Sequence, residues 1–285
     1  MTPTHALHKY LISSSLTTDP KPFVKWAGGK RQLLNILLKN VPDKFGTYIE
    51  PFVGGGALLF AFMPHKAIIS DINSELITAY MTIKEHVNEL IKSLSKHKNE
   101  EKYYYSMRSQ KKYKSDINKT SRFIYLNKTC FNGLYRENSK GEFNVPFGRY
   151  KNPNIVDRKN LLAISAYINS ADIKILNQDF RKTALMAKKG DFVYFDPPYY
   201  PLTRTASFTK YSKSDFTEKD QENLSDIYKK LDKRGCYVML ANSNTTFVKK
   251  LYKAYNVQII NANRFINCKA DKRGKGLFEV IIKNW

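Results

Sequence analysis

The chain has 285 residues, 42% of them hydrophobic, and carries 48 Lys and Arg against 25 Asp and Glu, a formal net charge of +23. That length supports one large core, or a core with a small added domain, and the charge points to a polyanionic partner, although 37 Lys against 11 Arg is also what an AT-rich genome would encode. No stretch approaches eighteen apolar residues, the first twenty lack a long apolar core, and Cys130, Cys236 and Cys268 share no metal-ligand spacing with the five histidines, so a reduced, cytoplasmic, metal-free protein with no membrane contact is expected.

Residues 1–21 read as a flexible N-terminal extension. Lys25-Trp26-Ala27-Gly28-Gly29-Lys30 follows and is expected to open a helix. It is not a phosphate loop, because Lys30 is followed by Arg31 and no glycine stands at the required position. Backbone N–H groups at a helix start, with a lysine nearby, can still hold a carboxylate. A first strand, Thr47–Phe52, runs into Gly54-Gly55-Gly56 and a helix from Ala57 to Met63. A second strand, Ala67–Ser70, ends at Asp71. Leu76, Tyr80, Ile83, Val87, Leu90 and Leu94 then recur in steps of four and three, which predicts one long amphipathic helix. Strand, glycine turn, helix, strand is the start of a parallel α/β sheet.

From about Ser95 the pattern changes to a Lys-, Tyr- and Asn-rich stretch without strand–helix alternation. It reads as an insert of residues 95–170, flanked by a sheet-bearing domain of 22–94 and 171–285. Alternation resumes with strands at Ile173–Leu176, Asp191–Phe195 and Cys236–Ala241. Helices are expected at Arg181–Lys189 and Thr217–Leu231, and Val257–Ile260 with Leu277–Ile282 reads as an antiparallel hairpin at the sheet edge.

Two loops carry chemistry. Glycines after a strand let the backbone turn tightly and approach a ligand. Three adjacent glycines are not the dinucleotide fingerprint, but Asp71, seventeen residues beyond Gly54, is placed to accept hydrogen bonds from ribose hydroxyls. A nucleoside-containing cofactor is therefore expected. The second loop, Asp196-Pro197-Pro198-Tyr199, leaves an apolar strand at the carboxyl edge of the sheet. Its prolines fix φ twice, remove two donors and leave carbonyl groups pointing inward. An acid, a rigid carbonyl and an aromatic face suit the gripping of an exocyclic amine, whose lone pair is then offered to an electrophilic methyl group.

These residues resemble the Dam-type (alpha group, D12 class) DNA adenine-N6 methyltransferases. The resemblance runs from about Pro22 to Trp285 and follows the family's motif order. It implies a Rossmann-like class I methyltransferase sheet with an inserted, mainly helical target-recognition domain containing a β-hairpin. It implies S-adenosylmethionine bound by Trp26, Lys30, Phe52, Gly54, Gly56, Asp71, Asp179, Phe180 and Asp196, with Asp71 on the ribose and Asp179 and Phe180 at the cofactor's adenine. Asp196, Pro197, Pro198 and Tyr199 would be catalytic. Glu50 stands where some members carry Asp.

In the insert, strand propensities around Ser139-Lys140-Gly141 suggest a β-hairpin. A two-stranded ribbon fits the major groove, where arginine bonds guanine bidentately, and Arg136 and Arg149 are the candidates. The family places an aromatic wedge at Phe131. Lys25, Asn132, Leu134, Pro146 and Tyr150 complete the expected DNA contacts, and lysines between Lys96 and Lys119 would neutralise phosphate. Phe-Asn-Val-Pro-Phe-Gly-Arg-Tyr is close to the run carried by members that modify GATC. The expectation is a site-specific enzyme, a monomer on double-stranded DNA, acting by base flipping, alone or beside a cognate restriction endonuclease. Alternatives are methylation of cytosine N4, RNA or a glutamine side chain, or a non-catalytic DNA-binding protein that kept the fold. The leading acid of the loop and the motif order favour adenine.

Overall fold

The computed structural model describes residues 18–26, 28–30, 32–202, 216–262 and 277–285. Cys268 and most of the expected N-terminal extension lie outside the described residues. At the extension's expected boundary the chain is already pinned. The Lys21 N–H donates to Asn160 at 2.8 Å, and the Asn160 amide returns a bond to the Lys21 carbonyl at 3.0 Å.

Among the described residues, seven strands form the sheet: β1 (Tyr48–Glu50), β2 (Lys66–Asp71), β3 (Asp172–Asn177), β4 (Phe192–Phe195), β5 (Tyr237–Ser243), β6 (Asn256–Ala262) and β7 (Leu277–Lys283). Their order is β3-β2-β1-β4-β5-β7-β6. All neighbours are parallel except β7, which pairs antiparallel with both β5 and β6. The expected hairpin is present, but only β6 lies at the edge. The reason is burial: Val280, Ile281 and Ile282 are all fully buried, whereas β6 is largely exposed. Side chains alternate across the sheet. Tyr48, Phe192 and Tyr194 face one core, and Ile49, Val193 and Phe195 face the other.

The first core is covered by α1 (Leu34–Lys39), α2 (Ala57–Phe62), α3 (Ser74–Glu85), α4 (Val87–Leu94), α6 (Asp116–Thr129) and α7 (Arg158–Ser170); α5 (Glu101–Ser109) lies outside α6. The second is covered by α8 (Phe180–Ala184), α9 (Glu218–Lys233) and α10 (Thr246–Leu251). The one long helix expected from Leu76 to Leu94 is two, divided at His86, whose φ of −136° and ψ of 38° leave the helical region. Leu90, Ile91 and Leu94 still enter the same core as Leu76, Tyr80 and Ile83. Periodicity registers which side is buried, and a break that preserves the side does not disturb it. The helix expected at Arg181–Lys189 is shorter, and that expected at Lys25–Lys30 starts later, at Leu34.

The insert is fused to the first core through α6. This helix is buried along most of its length: Phe123 and Ile124 join the sheet-side core, while Tyr125 and Leu126 join a smaller core with Tyr104, Cys130 and Val145. Leu161, Ile164, Tyr167 and Ile168 of α7 belong to the sheet-side core as well. The expected β-hairpin is a narrow antiparallel ribbon with two isolated bridges, Cys130–Phe147 and Glu137–Phe143, rather than two continuous strands. Backbone bonds from Phe131 to Pro146 (2.8 Å), Asn144 to Arg136 (3.0 Å) and Gly148 to Thr129 (2.8 Å) hold it. Two features interrupt the ladder. Pro146 has no N–H to donate, and Asn132 and Gly133 take φ of 55° and 62°, curling the first arm into a short 3-10 turn.

Candidate active site

β1 and β4 are neighbours, yet the chain leaves them toward opposite faces of the sheet. Such a switch point opens a crevice at the carboxyl ends of the strands. Glu50, Asp71 and Asp196 all sit at that edge, at the ends of β1, β2 and β4.

The glycine loop is clipped in place from both sides. Gly54 and Gly56 adopt φ of 49° and 74°, a region that other residues enter only with strain. A Cβ on Gly54 would fall 2.8 Å from the Trp26 ring, and one on Gly56 2.6 Å from the Tyr80 hydroxyl. One Asp71 carboxylate oxygen accepts the Gly54 N–H at 3.1 Å and the other accepts the Asn73 N–H at 2.9 Å. The Tyr80 hydroxyl donates to the Gly54 carbonyl at 3.0 Å. Burial outweighs the N–H bonds and pushes the Asp71 carboxyl up to about 6.

Lys30 joins the two loops. Its ammonium lies 2.8 Å from Asp196 Oδ1, donates to the Gly28 carbonyl at 2.5 Å and sits 4.4 Å above the Tyr199 ring. The lysine side chain is 4% exposed. Burial pushes the Asp196 carboxyl up to about 6, Lys30 opposes that rise, and the Glu279 charge adds to it.

The loop after β4 is then fixed by residues that the sequence reading missed. The Tyr199 hydroxyl donates to Glu279 Oε2 at 2.7 Å. The Tyr200 N–H donates to Asn242 at 3.2 Å, and the Ser243 hydroxyl donates to the Tyr200 carbonyl at 2.7 Å. Gln221 donates to the Pro198 carbonyl at 3.0 Å. Of the two proline carbonyls expected to point inward, Pro198's is therefore taken up in holding the loop. Two signals for these residues were present: Glu279 is a lone acid in an apolar strand, and Asn242-Ser243 ends β5 at the same edge as Asp196.

Behind the loop lies Glu50, buried and accepting a bond from the Tyr48 hydroxyl at 2.9 Å, with its carboxyl raised well above the ordinary range by burial. Asp71, Asp196 and Glu279 thus set carboxylates along this edge with Lys30 among them, while burial keeps Glu50 protonated behind the loop. That donor set suits a cationic ligand that also carries a diol.

Three other expected cofactor residues, Phe52, Asp179 and Phe180, lie at β1 and α8. Phe52 and Phe180 stack on each other, centroids 5.0 Å apart, and pack in the second core. Asp179 caps α8, and its carboxylate is engaged by the Arg181 N–H at 2.9 Å and by the Arg181 guanidinium through two bonds of 2.7 Å. The Arg181 bonds hold its carboxyl below the usual carboxylate range.

The residues expected to meet DNA gather on the insert. Asn127 of α6 grips the Lys25 backbone, accepting its N–H at 2.7 Å and donating to its carbonyl at 2.8 Å. The Lys25 side chain crosses Gly133, where a Cβ would fall 2.1 Å from Lys25 Cδ, and its ammonium lies 4.7 Å above the Tyr150 ring. Phe131 is 49% exposed beside Asn132, Leu134 is half-buried, and Pro146 is exposed. Arg136 is exposed and bonds Asn144 at 2.7 Å. Arg149, with φ of 53°, makes one long contact of 3.4 Å to Glu101 across exposed surface, a weak restraint.

A family model described as D12 class N6 adenine-specific DNA methyltransferase matches residues 26–266. The chain is 45% identical over 272 residues to the Type II methyltransferase M1.LlaDCHI of Lactococcus lactis subsp. cremoris, covering 93% of this chain and 95% of that one. It is 46% identical over 290 residues to the Type II methyltransferase M.MjaIII of Methanocaldococcus jannaschii, covering 94% and 100%. It is 34% identical over 263 residues to the DNA adenine methylase of Haemophilus influenzae, covering 90% and 91%. With its motifs in this order, its sheet in this topology and these matches along nearly its whole length, the chain belongs to the D12 class of N6 adenine-specific DNA methyltransferases.

Proposed function

We propose that the chain methylates adenine N6 within GATC in double-stranded DNA, using S-adenosylmethionine and flipping the target base into the crevice beside Asp196. One observation carries the chemistry: a largely buried carboxylate and a tethered aromatic ring stand side by side on a rigid loop, with Lys30 against both. Trp26, Lys30, Phe52, Gly54, Gly56, Asp71, Asp179, Phe180 and Asp196 would hold the cofactor. The carboxylate set fits a sulfonium cation, and Asp71 fits a ribose diol. The bound cofactor supplies the electrophilic methyl group.

The side chains do the rest by positioning and electrostatics. Asp196 and the Pro197 carbonyl each accept one N6–H, which aims the nitrogen lone pair. The base stacks on the Tyr199 ring, which Lys30 steadies from 4.4 Å. Glu279 and Gln221 keep the loop from yielding. Asp196 stabilises the positive charge that develops on N6 and is placed to accept the departing proton. Flipping is required because N6 is engaged in pairing within the duplex.

The division into residues 22–94 with 171–285 and residues 95–170 is read as catalysis and target recognition, with α6 as the shared wall. Phe131 would wedge into the stack, and Arg136 and Arg149 would read guanine, assisted by Lys25, Asn132, Leu134, Pro146 and Tyr150. We read the chain as a cytoplasmic monomer that acts alone or beside a cognate endonuclease. Expression in a methylation-free host, with modified adenines mapped genome-wide, tests the reading. Methylation at GATC is expected. Another motif would overturn the specificity and leave the chemistry standing, and the absence of methyladenine would overturn both.

The pH dependence follows from Asp196. It must be ionised to accept an N–H, and its carboxyl sits at about 6. At saturating cofactor, so that Asp71 does not contribute, kcat/KM for DNA should fall about tenfold per pH unit below that value. Glu279→Gln should move this acid limb to lower pH, because the Glu279 charge helps to hold the Asp196 carboxyl up. A limb that stays in place would show that Asp196 is not the titrating group.

A further inference from the structure

Tyr135 lies in the first arm of the ribbon, next to Arg136, and is 2% exposed. Its ring stacks on Trp26 with centroids 5.1 Å apart and planes 29° apart. Trp26 in turn covers Gly54 of the glycine loop. The Tyr135 hydroxyl is 2.6 Å from Glu137 Oε1 on the ribbon and 3.1 Å from Glu75 Oε2 on α3. The Asn73 side chain lies near the same hydroxyl. Asn73 caps α3, and its own N–H holds Asp71.

A phenol has one proton. Burial and the two carboxylates keep the Tyr135 hydroxyl protonated far above the usual phenol range. It therefore donates to one carboxylate at a time, and the other faces an oxygen lone pair. Two arrangements follow. In one the proton is on the ribbon side, at Glu137. In the other it is on the cofactor side, at Glu75, where Arg122 Nη1 stands 3.9 Å away as a looser partner. The short Glu137 contact marks the first as the arrangement without DNA.

We propose that Tyr135 is a positioning residue that couples DNA reading by the ribbon to cofactor holding at Asp71 and Trp26. This rests on the cofactor and DNA sites read above. DNA engaging Arg136 shifts the neighbouring Glu137, the phenol turns to Glu75, and the Asn73–Glu75 segment, whose Asn73 N–H bonds Asp71, draws Asp71 into its holding position. Coupling of this kind is reciprocal, so the cofactor tightens DNA to the same degree.

The test is calorimetry of S-adenosylhomocysteine binding to the full chain, alone and saturated with a duplex carrying the mapped methylation site. In the wild type the duplex should tighten binding by roughly fivefold or more. Tyr135→Phe keeps the ring on Trp26 and should leave binding without DNA within about twofold of wild type, while the duplex effect shrinks to about twofold or less. Glu137→Gln should act in the opposite sense. With its ribbon-side carboxylate gone the phenol rests on Glu75, and the free variant should bind about as tightly as the DNA-bound wild type. A merely structural loss cannot produce that gain. Full coupling in Tyr135→Phe, no gain in Glu137→Gln, or no coupling in the wild type would overturn the proposal. A wild type that binds neither S-adenosylhomocysteine nor the duplex would overturn the underlying reading of the sites instead.

Discussion

Replacing Asp196 with Ala is expected to lower kcat on the order of 10²- to 10⁴-fold, the range for removing a group that acts on developing charge and on a proton. Sequence-specific DNA binding should survive, because Asp196 lies at the end of β4 while the expected base contacts lie on the ribbon. The variant has a structural consequence that must be separated from the chemical one. Lys30 is 4% exposed, and its carboxylate partner at 2.8 Å is gone. A buried charge without its partner costs about 3 kcal/mol or more, so the melting temperature should fall. Asp196→Asn keeps an oxygen near Lys30 and should recover part of that stability while remaining inactive, since its amide offers N6 one weaker acceptor and no negative charge. Single-turnover methyl transfer and thermal melting separate the two effects. If flipping precedes chemistry, 2-aminopurine at the target position should brighten with either variant. Near-normal turnover by Asp196→Ala would sink the mechanism.

The second large effect is on cofactor affinity. Asp71→Ala should weaken S-adenosylmethionine binding roughly 10- to 100-fold, the value of hydrogen bonds to a charged acceptor at about 1.5–3 kcal/mol. The loss has two parts: the diol loses its acceptor, and the loop loses its clip, since Gly54 and Asn73 both donate to this carboxylate. Asp71→Asn should lose less than Asp71→Ala, because its one oxygen can keep one of the two N–H bonds. DNA affinity measured without cofactor should change little in either variant. Unchanged cofactor affinity in Asp71→Ala would remove this residue from the cofactor site and with it the ribose assignment.

Much of the site was legible because the chemistry needs unusual residues at fixed places. Two consecutive prolines after an apolar strand, and a glycine run followed by an acid at the end of the next strand, have few structural uses apart from a ligand site. They located Asp196, Gly54, Gly56 and Asp71 at one sheet edge, where the structure has them. Lys30 was expected beside a helix start able to hold a carboxylate; the helix starts later, at Leu34, and the ammonium pairs with the chain's own Asp196. The contacts that hold Asp179 and Phe180 were not legible from resemblance. Arg181, two positions after Asp179, takes its carboxylate, and Phe52 takes one face of Phe180.

The sequence by itself determined the strands, their faces and the loops that leave them, since alternation, glycine and proline act over a few residues. Which distant groups meet was decided only by the tertiary structure. Glu279 is eighty positions from Tyr199, yet a strand inserted antiparallel between β5 and β6 brings its carboxylate to that hydroxyl. Asn127 and Lys25 are 102 positions apart, and their bonds fasten the insert to the segment that carries Trp26 and Lys30. The break at His86 and the interrupted ribbon belong to the same class. A hydrophobic pattern records which side of an element is buried, whereas backbone breaks and long-range hydrogen bonds are settled by the packing of elements that no local window contains.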